Sequence, residues 1–168
     1  RSGAACYSGT ALRHKTEHGW EDISYPELGR LATEIARGLV ALGIERGDRV
    51  SILSDTRPEW TLADLGSLAA GATVAPIYQT NSPEECHYVL ENSDAKVVIV
   101  EDAEQLAKVQ AVRDRLPKLE HVILIEGSGE GVVTMPTRRP SPEVFGEMRI
   151  RSATARPYDA FACGDGST

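Results

Sequence analysis

The stretch Gly47–Glu101, GDRVSILSDTRPEWTLADLGSLAAGATVAPIYQTNSPEECHYVLENSDAKVVIVE, decides how this chain folds. Short β-branched runs alternate in it with helix-length segments, the pattern of a parallel α/β sheet. Arg49–Ser54 reads as a strand, Pro58–Ala70 as a helix and Ala72–Tyr78 as a strand. Pro83–Asn92 reads as a helix and Lys96–Glu101 as a strand. The alternation continues with a helix over Ala103–Leu116 and a strand over His121–Glu126. Four strands and three helices in this order predict right-handed crossovers and a mostly parallel sheet with helices on both faces. Val97–Val100 and Val122–Ile125 are unbroken apolar runs, as strands buried on both sides require. Ser82, Pro83, Glu84 and Glu85 make a strong helix start, and the two glutamates suit its dipole. Gly66 among alanines predicts a close approach of its helix to a neighbour.

Upstream, Thr10–Lys15 and Trp20–Ser24 read as two short strands joined through His18-Gly19. A core-packing helix follows. Ser24 and Glu27 have the spacing of a capping box, and Pro26 sits in the first turn. Leu28, Leu31, Ile35, Leu39 and Leu42 recur at helical spacing, and Gly43 with Ile44 forms the expected stop.

Downstream of Gly127 the composition changes. Residues 128–168 contain no leucine and no lysine, whereas residues 1–127 contain fourteen leucines. Five Lys and Arg balance five Asp and Glu in 128–168, so the net charge of −7 belongs to residues 1–127. Residues 1–127 therefore read as one α/β unit and 128–168 as an irregular or disordered tail, in which a reading-frame shift would produce the same Arg/Pro/Ala/Gly bias.

The acidic balance argues against nucleic acid as a partner, because phosphate binding needs clustered Lys and Arg. Cys6, Cys86 and Cys163 are odd in number and widely spaced, the signature of reduced thiols in a cytoplasmic protein rather than of a disulfide framework or zinc site. No apolar run reaches the roughly 18–20 residues of a membrane span. The chain opens on Arg1 with no signal-like segment, which suggests a processed or truncated start.

Chemistry-bearing motifs are few. The first strand-to-helix turn, Ser54-Asp55-Thr56-Arg57-Pro58, has no glycine through which backbone N–H groups could reach phosphate, so a dinucleotide site is not expected. Gly127-Ser128-Gly129-Glu130-Gly131 lacks a following lysine and helix and reads as a linker, as does Gly164-Asp165-Gly166-Ser167-Thr168. His14, His18, His87 and His121 fall in four different elements without a nucleophile or carboxylate pair. His87 adjoins Cys86, but neighbours on a helix diverge. Glu84 and Glu85 read as helix-start carboxylates. Asp55–Trp60, at the carboxyl end of a strand where open α/β sheets take ligands, is the best local candidate for a contact site. A turn fixed by Pro58 and anchored by a half-buried Trp60 is the competing reading. No catalytic, cofactor-binding or metal residue is assigned.

An ordered set of pieces carries a family resemblance. They are Ser24-Tyr25-Pro26-Glu27-Leu28, Leu42-Gly43-Ile44, Gly47-Asp48-Arg49-Val50, Arg57-Pro58-Glu59-Trp60, Ala70-Gly71-Ala72, Pro76-Ile77-Tyr78 with Thr80, and Asn92-Ser93 before Lys96–Glu101. From about Thr10 to Gly127 the chain resembles the N-terminal region of AMP-forming acyl-CoA synthetases, chiefly the long-chain fatty-acid branch. The resemblance implies a parent enzyme that activates a fatty-acid carboxylate with ATP as an acyl-adenylate and then transfers the acyl group to coenzyme A. It implies ATP, Mg²⁺, CoA and fatty acid as the full-length enzyme's cofactors and substrates, and leaves a homodimer and peripheral membrane association open. Such enzymes use a Ser/Thr/Gly-rich loop ending in Pro-Lys-Gly and a lysine on a mobile C-terminal domain. This sequence contains no Pro-Lys-Gly. The expectation is thus an N-terminal fragment of a ligase that is catalytically incomplete and binds none of these cofactors tightly. The alternatives are a standalone α/β binding or interaction module, which would be monodisperse and unfold cooperatively, and a fragment of another acid–CoA ligase.

Overall fold

The computed structural model describes residues 8–129 and 131–135. Strands β1 (Thr10–Thr16) and β2 (Gly19–Ser24) pair antiparallel as the expected hairpin. Helix α1 (Tyr25–Ala41) begins where Ser24 Oγ accepts the N–H of Glu27. It ends as predicted, with Gly43 at φ +89°. There the N–H of Ile44 reaches Leu39 O and the N–H of Gly43 reaches Val40 O, satisfying carbonyls the helix leaves open.

Strands β3 (Arg49–Leu53), β4 (Thr73–Ile77), β5 (Val97–Val100), β6 (His121–Leu124) and β7 (Val133–Thr134) form one parallel sheet in the order β4-β3-β5-β6-β7. Helices α2 (Pro58–Ala69), α3 (Pro83–Ser93) and α4 (Ala103–Gln110) make the crossovers. Helices α1 and α2 cover one face of the sheet, packing on Val50, Ile52, Val97, Ile99 and Ile123. Helices α3 and α4 cover the other, on Leu53, Val98, Val100, Val122 and Leu124. Every residue of β5 is buried, as its unbroken apolar run predicts.

Two expectations need correction. The helix expected over Ala103–Leu116 stops at Gln110, and a 3-10 turn covers Arg113–Arg115. Pro117 disfavours a helical conformation at Leu116, which sits at φ −117° and ψ 70°. Val109, Val112 and Leu116 are buried together all the same, so their spacing did not distinguish one helix from a helix plus a tighter turn. The second correction concerns the boundary at Gly127. Chain beyond it adds β7 to the sheet, and Met135 is buried in the core, with its N–H donated to Leu124 O. Val132 and Val133 supply the β-branched apolar side chains that hold this short strand. Residues 136–168 of the irregular tail expected over 128–168, with Cys6, Cys163 and the closing glycine run, lie outside the described residues.

Candidate functional site

The strand order places a topological switch point between β3 and β5. Chain leaves β3 through α2 towards one face and leaves β5 through α4 towards the other, which opens a crevice outside their carboxyl ends. The Asp55–Trp60 segment forms one wall of it. Glu101, directly after β5, and Glu126, two residues past the end of β6, complete the rim.

Arg57 occupies the centre. It is the N-cap residue of α2 and gives no side-chain cap to that helix; its guanidinium instead crosses the sheet edge. Nε donates to Glu59 Oε2 at 2.8 Å and Nη1 to Glu101 Oε1 at 2.9 Å, while Nη2 donates to Glu126 Oε1. The other Glu101 oxygen accepts the backbone N–H of Asp55 at 2.7 Å and the Ser54 hydroxyl at 3.2 Å. The Glu126 N–H closes the ring onto Glu101 O at 2.8 Å. Burial works against the charge on Arg57, but its bonds to Glu126, Glu59 and Glu101 outweigh that and hold the guanidinium above its ordinary range. Arg57 and Glu101 are largely shielded, with side chains 23% and 17% exposed, while Glu126 is 57% exposed.

This arrangement does not fit a nucleotide's phosphates. Among the described residues of the rim, Arg57 is engaged by three carboxylates, the net charge left is negative, and no glycine turn presents N–H groups to an anion. Among the described residues no group of His, Cys, Asp and Glu is arranged to hold a metal ion. No helix among them is long and apolar enough to cross a membrane.

The other chemistry-bearing residues are dispersed. His14 lies in β1, and His18 in the turn that follows it. His87 in α3 stands 3.9 Å from Glu91, and His121 Nε2 is 3.2 Å from Leu42 O. Cys86 is buried against the sheet, and burial pushes its thiol up. Glu85 completes a capping box with Ser82, and Glu84 pairs with Arg115. Trp60 is partly buried against the core, as the turn-anchor reading expects. The sequence reading found Arg57 within its segment but missed Glu101 and Glu126, which are 44 and 69 residues away. The available signal was a glutamate closing each of two apolar runs, Val97–Val100 and Val122–Ile125.

Known proteins share this framework. A long-chain-fatty-acid–CoA ligase of Drosophila melanogaster, heimdall, is 39% identical over 115 residues, covering 68% of this chain and 17% of the relative. The long-chain-fatty-acid–CoA ligase FadD15 of Mycobacterium bovis is 35% identical over 140 residues, covering 83% of this chain and 23% of the relative. The chain therefore spans about a fifth of the length of the curated relatives it matches. The crystal structure of the anthranilate CoA ligase AuaEII in complex with anthranoyl-AMP superposes with a TM-score of 0.66 at 27% identity, over 73% of this chain and 23% of that one. Residues 4–157 match the family described as AMP-binding enzyme, and the chain belongs to that family.

Proposed function

We propose that this chain supplies the N-terminal α/β scaffold of a long-chain fatty-acid–CoA ligase, which joins a fatty acid to CoA in the cytoplasm with conversion of ATP to AMP and diphosphate. The observation that carries the reading is the 39% identity over 115 residues to a ligase of that description. A carboxylate becomes a usable electrophile only when its oxygen is made a good leaving group, which is what adenylation achieves. The residues described here bring no group for that step. Their part is to build the sheet and its rim, while the fatty acid, ATP with Mg²⁺, and CoA are bound by the whole enzyme.

A graft tests this. Residues 8–135 replace the matching segment of FadD15 from Mycobacterium bovis, and long-chain acyl-CoA formation is measured. The chimera is expected to stay active, and the 168-residue chain alone to form neither acyl-adenylate nor acyl-CoA. A well-folded chimera with no activity would sink the proposal, as would turnover by the chain alone.

A further inference from the structure

The crevice between β3 and β5 is the place where an open α/β sheet ordinarily receives a ligand. Here it holds a side chain of the protein itself. Three carboxylates from three separate elements meet there: Glu59 in the first turn of α2, Glu101 after β5 and Glu126 after β6. Each takes a different nitrogen of one guanidinium. That division of labour needs a flat cation with donors fixed in a fork; an ammonium is a point charge on a flexible stem.

We propose that the switch-point crevice is a guanidinium site occupied from within by Arg57. Arg57 is thereby a positioning residue: it fixes the turns after β3, β5 and β6 relative to one another, acting through the carboxylates it binds. Removing it leaves three carboxylates facing one another with no cation between them, and the rim separates while the sheet beneath stays intact. The vacated crevice then accepts a guanidinium from solution. Nothing in this depends on the ligase reading.

The test uses the full 168-residue chain carrying Arg57→Ala, with ethylguanidinium chloride as probe and ethylammonium chloride at equal ionic strength as control. Amide hydrogen exchange is read at Asp55, whose N–H is held by Glu101, and at Ile52 in the centre of β3. In the variant, exchange at Asp55 is expected to rise by about tenfold, the loss of a charge-assisted bond, with Ile52 unchanged. Ethylguanidinium should restore protection and ethylammonium should not. Unchanged exchange at Asp55, equal rescue by both salts, or rescue by neither would overturn the proposal. If Arg57→Ala does not fold, Arg57→Gln and the refolding yield in each salt give the same reading: recovery with ethylguanidinium alone supports the site, and any other pattern overturns it.

Discussion

Ser51 lies in the middle of β3, fully buried, between Ala75 of β4 and Val98 of β5 in register, and its hydroxyl has no hydrogen-bond partner among the described residues. A buried hydroxyl without a partner costs about 1–3 kcal/mol, because water's hydrogen bonds are lost and not replaced. Ser51→Ala is therefore expected to stabilise the chain by about 1 kcal/mol, seen as a higher urea midpoint with an unchanged slope. A lower midpoint would show that the hydroxyl has an unrecognised partner. In sequence the serine stands alone among the apolar residues Val50, Ile52 and Leu53. It is buried because both faces of β3 are covered, a property of the whole sheet. Arg57 shows the same limit. Its turn was legible from Pro58 and Trp60, yet two of its three carboxylate partners, Glu101 and Glu126, follow strands that only the folded sheet brings together.

Helix α2 shows how far a single element can be read. Gly66 among alanines signals a close approach, and the approach is made to α1. A Cβ at Gly66 would stand 2.5 Å from Ile35 Cγ2 and 2.7 Å from Ile35 Cβ, with Ala32 O at 3.2 Å. Neither helix can yield freely, because Ile35 is 6% exposed and packed in the core. Gly66→Ala ought to gain about 1 kcal/mol of helix propensity, but overpacking costs about 1–3 kcal/mol and prevails. The expected result is a net loss in chemical denaturation, reduced when Ile35→Ala is added to make room. Additive effects in the double variant would rule out the steric cause. By contrast, the end of α4 was not legible. The spacing of Leu106, Val109, Val112 and Leu116 suits one long helix, and only the demands of Pro117 and the return to β6 convert its end to a 3-10 turn.

At the scale of the molecule, the acidic surface is tied down at the amino-terminal edge of the sheet and at the helix ends. Asp48 accepts Lys96 Nζ at 2.7 Å and the N–H of Glu45 at 2.9 Å, and these bonds, the lysine's first, hold its carboxyl below the usual range. Glu85 is lowered by the backbone and side chain of Ser82, and Asp94 by the hydrogen bond from Lys118. Asp64 runs the other way, raised by burial. A carboxylate with a lowered folded pKa contributes stability that is present above its unfolded value and lost as pH falls through the folded one. Three such groups against one opposite case predict flat stability from neutral pH down to about 5 and a decline below about 4, where unfolded carboxylates take up protons. Urea midpoints across that range would check it, and Asp48→Asn should make the decline shallower because one of the responsible groups no longer titrates. Asp64→Asn isolates the opposing case. It removes a charge that burial disfavours, so it should raise the midpoint at neutral pH and bring no gain at pH 3, where Asp64 is already protonated in the parent chain. A gain of equal size at both pH values would mean that packing around Asp64, not its charge, limits stability there.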